Sequence, residues 1–327
     1  MKKIITTKLY PLLFDYFLIS KFWGGYKAAD YFNIKTPYKI GEILMLCDNE
    51  VHQSTITNGF LKGKTLNDLI KQFGSDVIKE GYQGEKFPLI IKIIDASSVL
   101  SLQVHPTNED CKNLKGNSRA KSEAWYIIGS EQKSFIMAGS KANVSLRQLA
   151  NDLNYENHED YLEKINVDNG DFFFIPAGLT HAIGAGNLIL EVSQNSLSTF
   201  RINDWQRKMS SGTTRELHLS EAETVFNGHQ QCTKALAKDR NFEEQTLLCD
   251  HEYFKIDELS FKLTADIALK STKSCHVIAP VNGAIKVVTP TSTVEVKRGM
   301  SCLVPANFGE YYLSSKDSNT TALKITL

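Results

Sequence analysis

Two segments of the 327-residue chain repeat one pattern: Gly170-Asp171-Phe172-Phe173-Phe174-Ile175-Pro176-Ala177 and Gly299-Met300-Ser301-Cys302-Leu303-Val304-Pro305-Ala306. Each opens on a glycine, runs through a short apolar stretch to a β-branched residue, and closes on Pro-Ala. Glycine supplies the turn that enters a strand, and proline, with no backbone N–H, ends the pairing and stiffens the exit. The chain has only 8 prolines, so two in the same frame point to two related β modules.

The rest of the chain agrees. Short apolar and aromatic runs broken by turn formers recur at Phe87 to Ile94, Ala124 to Ile128, Phe172 to Ile175, Leu188 to Val192, Val277 to Ala279 and Leu303 to Val304, as in an all-β sandwich or barrel. Three segments carry helical signals instead. From Lys64 to Glu80, Leu66, Leu69, Ile70, Phe73 and Val77 recur at steps of three and four, with Thr65 and Asn67 available near the start. A weaker pattern runs from Ser145 to Ile165, and Ser220 with Glu223 has the spacing of a capping box. The segment from Lys234 to Leu327 holds almost only β signals. The expected organisation is a first domain over 1–234 with helical insertions and a second β domain over 235–327.

Composition narrows the function. Lys plus Arg and Asp plus Glu each number 37, with 42% hydrophobic residues, which excludes disorder, collagen-like repeats and coiled coils. Zero formal charge without long like-charge runs gives no general attraction to nucleic acid or anionic membrane, so an anionic substrate has to be held by local cations. Lys2 and Lys3 precede an apolar stretch from Leu9 to Ile19, but Pro11 and Asp15 interrupt it and no cleavage site follows, so it reads as part of the fold. Six scattered cysteines without a C-x-x-C pair read as reduced thiols in a cytoplasmic protein, none of them catalytic.

The most specific chemical signal is Gln103-Val104-His105-Pro106. Residues two apart on a strand face the same side, so Gln103 and His105 project together. Glu123 precedes the strand-like Ala124 to Ile128, and His181 follows the first Gly-strand-Pro-Ala unit. Gln103, His105, Glu123 and His181, at successive strand ends, form a candidate site for one divalent ion. Two imidazoles and a carboxylate match catalytic zinc sets, although the donors alone leave iron and manganese open. His52, His158, His218, His229, His251 and His276 lie in polar or loop-like stretches and read as non-functional.

These segments, together with Lys121-Ser122-Glu123-Ala124-Trp125-Tyr126, Pro176-Ala177-Gly178-Leu179-Thr180-His181-Ala182, Leu190-Glu191-Val192-Ser193-Gln194-Asn195-Ser196 and Thr199-Phe200-Arg201, resemble the type I mannose-6-phosphate isomerases in their short bacterial form. The likeness extends upstream through Trp23-Gly24-Gly25, Gly41-Glu42 and Phe87 to Lys92, and so covers about residues 20 to 210. It implies a mainly β protein of two cupin-type jelly-roll barrels, with short helical insertions in the N-terminal catalytic part and a C-terminal barrel without metal. It implies one Zn2+ per chain on Gln103, His105, Glu123 and His181, and Arg201 as the active-site arginine. The implied substrate is a small hexose phosphate, interconverted between mannose 6-phosphate and fructose 6-phosphate through an enediol.

That reaction needs a base for a carbon-bound proton, stabilisation of the enediolate and an anchor for the phosphate. Lys121 and Glu191 compete for the base, and a solvated strand-end Lys121 that holds the phosphate or nothing is an equal reading; Arg201 has a salt bridge to Asp204 as its plain alternative. Two departures stand out. Leu44 occupies the place of a family tryptophan, and Arg119 and Ala120 stand where relatives carry glycine-rich sequence. A non-catalytic sugar-phosphate-binding cupin, or a cupin oxygenase or decarboxylase, are the competing readings. The position matching His181 in the second repeat is Glu310, so that module reads as structural.

Overall fold

The computed structural model describes residues 9–209, 211–228, 230–241 and 243–327; Lys2, Lys3 and His229 fall outside them. The described residues form two compact units. One comprises Phe17–Leu44 and Leu89–Arg240; the other comprises the described residues up to Tyr16, Met45–Pro88 and Asn241–Leu327.

In the unit built on Leu89–Arg240, a seven-stranded antiparallel sheet orders Thr233–Ala235, Phe172–Ile175, Glu123–Ser130, Asn187–Gln194, Leu89–Ala96, Glu42–Leu46 and Phe17–Ile19 side by side. A five-stranded sheet runs Phe200–Asn203, Leu102–Val104, His181–Ile183, Phe135–Ser140 and Leu162–Asn166. Ile94, Trp125, Phe173 and Ile189 of the first sheet meet Ile136, Ala138 and Ile183 of the second in one buried core, so the sheets face each other as a barrel. The opposite face of the five-stranded sheet is also buried. Leu102, Val104, Met137, Ala182 and Ile202 pack there against Leu149 and Leu153, near the helix Leu146–Asn151, and against Ala222 and Val225 of the helix Leu219–Val225. The helical insertions therefore cover one barrel wall. Burial on both faces explains why Leu89–Ala96 is almost continuously apolar.

In the other unit, a six-stranded sheet orders Leu12–Leu13, Cys302–Val304, His276–Asn282, Thr321–Thr326, Lys255–Ser260 and Gln245–Asp250, and a four-stranded sheet orders Asp266–Ser271, Gly309–Ser314, Ala284–Val288 and Thr293–Lys297. Leu259, Ile278, Cys302 and Ala322 from the first share a core with Ile267, Leu269, Ile285, Val296 and Leu313 from the second. Asp266–Ser271 alternates exposed and buried residues without a break, the signature of a strand with one wet face. Both repeat segments behave alike: Gly170 and Gly299 adopt φ of 89° and 80°, and Phe172–Ile175 and Cys302–Val304 follow as strands. The mainly β reading stands.

Three local expectations need correction. The helix expected from Lys64 to Glu80 is shorter: Leu66–Phe73, followed by a 3-10 turn at Gly74–Asp76, because Gly74 takes φ of 46° at the C-cap. Thr65 opens it with a capping box to Asp68. The pattern from Ser145 to Ile165 contains two short helices, Leu146–Asn151 and His158–Tyr161, and then a strand, Leu162–Asn166, whose pairing with Phe135–Ser140 overrides helical periodicity. Ser220 does not cap its helix, which begins one residue earlier with His218 at the N-cap.

Candidate metal centre and active site

Three strand ends bring the metal-ligand candidates together. Glu123 and His181 are the first residues of their strands, and His105 follows the last residue of Leu102–Val104, where Pro106 stops further pairing. His105 and His181 Nε2 lie 3.4 and 3.3 Å from the two oxygens of Glu123, and all three side chains are about 1% exposed. Gln103 stands directly opposite His181 on the neighbouring strand, its amide nitrogen 3.2 Å from His181 Nε2. Oxygen and nitrogen of such an amide exchange by a half-turn, which presents Oε1 to the same point.

The donor set fits a divalent ion. His105 Nδ1–H donates to the Ser198 carbonyl at 2.8 Å and His181 Nδ1–H to the Leu179 carbonyl at 2.9 Å, so each ring turns a bare Nε2 toward Glu123. Burial, reinforced by Lys121, pushes His105 down to about 4, and burial likewise lowers His181; both imidazoles stay neutral, as ligands must be. Burial pulls the Glu123 carboxyl upward, but the Lys121 ammonium beside it leads the opposing attractions, which hold the group well below the usual carboxylate range. Both Glu123 oxygens are buried without a hydrogen-bond partner among the described residues, and Lys121 faces only one of them. The three candidate ligand atoms lie within 4.8 Å of one another. A metal accounts for that arrangement.

The other candidates border this cluster. Lys121 Nζ sits 2.7 Å from Glu123, 3.3 Å from Glu191 and 3.5 Å from His105 Nε2, with a side chain only 7% exposed. The solvated reading of Lys121 is therefore excluded. Arg201 stands directly opposite Gln103 on the adjacent strand, which places it on the face that carries Gln103 and His181. Its guanidinium donates to the Glu216 carbonyl at 2.6 Å, while buried Nε has no hydrogen-bond partner among the described residues. Burial and the nearby Arg215 lower its pKa without removing its charge. Asp204 pairs with Arg207 and Arg215 rather than with Arg201. Leu44 is buried directly opposite Phe17.

Part of the site lies outside the motifs legible in the residue order. Lys92, framed by Ile90, Ile91, Ile93 and Ile94, contacts Glu191 at 3.4 Å and Glu42 at 2.8 Å. Glu191 and Glu42 outweigh the desolvation of Lys92 and raise its pKa, and Lys92 with Lys21 lowers Glu42 to about 2 against its burial. A lysine flanked on each side by two isoleucines was the available signal, since a charge inside such a run requires a partner. His218, read as loop filler, accepts the Arg201 backbone N–H through Nδ1 at 3.0 Å. Glu310, matching His181 in the repeat, is exposed.

Residues 13–138 match the family described as phosphomannose isomerase type I, catalytic domain. Over 309 residues the chain is 31% identical to the mannose-6-phosphate isomerase ManA of Bacillus subtilis, covering 93% of this chain and 95% of that protein. The crystal structure of a mannose 6-phosphate isomerase from Bacillus subtilis superposes with a TM-score of 0.85 at 26% identity, over 98% of this chain and all (100%) of that one. A mannose 6-phosphate isomerase bound with zinc and yttrium shares the fold, with a TM-score of 0.74 at 13% identity over 97% of this chain and 99% of the other.

Proposed function

The chain belongs to the type I mannose-6-phosphate isomerases, and from this premise we propose how its own residues carry out the interconversion of mannose 6-phosphate and fructose 6-phosphate. The observation that carries the reading is the buried His105–Glu123–His181 cluster with Gln103 and Arg201 side by side on the adjoining strands. Gln103, His105, Glu123 and His181 hold one Zn2+ per chain. Bound there, zinc supplies Lewis-acid polarisation of the sugar oxygens and tolerance of negative charge on them.

The remaining steps belong to the protein. Lys121 and Glu191, 3.3 Å apart, form a proton-sharing pair that takes the proton from one carbon and returns it to its neighbour. Lys92 on the far side of Glu191 keeps that carboxylate paired. Arg201, permanently cationic and with a free Nε, stabilises the enediolate as charge develops. All four candidate ligands lie in the unit formed by Phe17–Leu44 and Leu89–Arg240, so the metal chemistry is assigned there and the unit that ends the chain is assigned a structural role. The six unpaired cysteines support a cytoplasmic setting. Among the described residues no helix is long and apolar enough to cross a membrane.

A coupled assay tests the reading. Mannose 6-phosphate is supplied with phosphoglucose isomerase and glucose-6-phosphate dehydrogenase, and nicotinamide reduction is followed with zinc-loaded and chelator-treated protein. Turnover that disappears with the chelator and returns with zinc is expected. Absence of turnover in zinc-loaded protein rejects the substrate assignment.

A further inference from the structure

Arg201 is held by one short stretch of chain. The His218 backbone N–H donates to the Arg201 carbonyl at 2.8 Å, the Arg201 N–H donates to His218 Nδ1, and the Arg201 guanidinium donates to the Glu216 carbonyl. To run beside Arg201, this stretch has to double back from the end of the Phe200–Asn203 strand. The reversal begins at Trp205 and Gln206, consecutive non-glycine residues with φ of 56° and 54°. Two left-handed residues bearing side chains are unfavourable and persist only where the surroundings impose them.

Asp204 provides that constraint. It is 7% exposed; one carboxylate oxygen accepts from both Arg207 and Arg215, and the other accepts from Arg215 Nε at 2.8 Å. Arg207 also donates to the carbonyls of Asp204 and Val99, and Trp205 Nε1–H donates to the Leu100 carbonyl at 2.7 Å. Arg207 stands at the start of the returning segment and Arg215 at its end. Both guanidiniums lie over the exposed ring of Phe22, 5.1 and 4.7 Å from its centroid. One carboxylate thus closes a loop whose far end delivers Glu216 and His218 to Arg201.

We propose that Asp204, clamped between Arg207 and Arg215, is a positioning residue for the isomerisation: it fixes the returning segment that aims the Arg201 guanidinium. This rests on the reading of Arg201 as the group that stabilises the enediolate. Arg207 and the two engaged nitrogens of Arg215 are committed to the clamp, so it acts through geometry and not as a second anion site. A forked guanidinium–carboxylate contact suits that task because it fixes direction as well as distance. Arg201 itself keeps Nε free to act.

The test is a double-mutant cycle on the full-length zinc-loaded enzyme with Asp204→Asn, Arg201→Ala and the pair, measuring kcat, KM and zinc content. Asp204→Asn is expected to lower kcat by roughly 10- to 100-fold, as for a small misplacement of a reacting group, with KM and zinc content unchanged. The double variant should be no slower than Arg201→Ala alone. Losses that multiply, or a raised KM at intact kcat as a phosphate anchor would give, overturn the proposal. Wild-type turnover in Arg201→Ala overturns the underlying reading of Arg201 and this proposal with it. Arg215→Lys, which keeps the charge and loses the fork, reads the same kcat effect if Asp204→Asn fails to fold; unchanged kcat in Arg215→Lys also rejects the clamp.

Discussion

Lys92 and Glu191 stand directly opposite each other on adjacent antiparallel strands, with Nζ and Oε1 3.4 Å apart inside the sheet. Trp125 is opposite Glu191 on its other side, so the three share one face. The charges continue in alternation, from Glu42 through Lys92, Glu191 and Lys121 to Glu123. This chain of buried and partly buried ion pairs links the candidate metal ligands to the edge of the seven-stranded sheet, where Lys21 contacts Glu42 at 3.3 Å.

Removing one member should therefore cost more than removing two. Lys92→Met takes one of two cations from each carboxylate, leaving Lys21 on Glu42 and Lys121 on Glu191, and is expected to destabilise by about 1–3 kcal/mol. Lys92→Met combined with Glu191→Gln should recover much of that stability without recovering turnover. Thermal or urea denaturation of the three variants checks it, and equal stability of Lys92→Met and wild type contradicts the chain.

Loss of a ligand should remove the metal. His181→Ala is expected to reduce bound zinc from one per chain to near zero, measured by elemental analysis after exhaustive dialysis. Chelation of wild-type protein should lower Tm, since a ligand at a hundredfold over its Kd contributes roughly 2.7 kcal/mol to the folded state. Unchanged zinc in His181→Ala would sink the ligand assignment.

Arg201→Ala should retain zinc and the far-UV spectrum while kcat falls by about 100- to 1,000-fold, the range for one preorganised donor to developing charge. Steady-state kinetics decides this. Survival of full turnover excludes Arg201 from the chemistry.

His276, in the unit that ends the chain, makes stability depend on pH. Its Nδ1 lies 2.7 Å from the buried Tyr311 hydroxyl, and burial together with Lys324 lowers the imidazole from 6.5 to about 4 against the opposing pull of Asp257. Between those values the unfolded chain binds a proton that the folded chain refuses. The contribution is thus complete above about pH 6.5 and declines as pH falls toward 4, by about 3 kcal/mol in total. His276→Gln, which keeps a hydrogen-bonding group and cannot titrate there, should flatten the fall of Tm between pH 7 and pH 4. An identical slope in both proteins rejects this source of acid sensitivity.

The repeat units, the strands at Phe172–Ile175 and Cys302–Val304, and the ligand candidates Gln103, His105, Glu123 and His181 were all legible in the amino-acid order. Each rests on a local rule: glycine before a strand, proline after it, side chains alternating along it. Helix limits were less legible, because Leu162–Asn166 obeys its pairing partner and not its own periodicity. The roles of Lys92, Asp204 and His218 were hidden for a related reason. Lys92 meets Glu191 through strand register, and His218 meets Arg201 only after a left-handed reversal at Trp205 and Gln206.

The residue order by itself thus marked the β modules, the family motifs and the candidate metal donors, since each is a pattern within a few positions of the residue that carries it. Only the tertiary structure decided which charges pair and what holds Arg201. Ion pairs and backbone contacts between strands depend on register and on which face each residue shares. Those are properties of two segments brought together, and neither segment carries them alone.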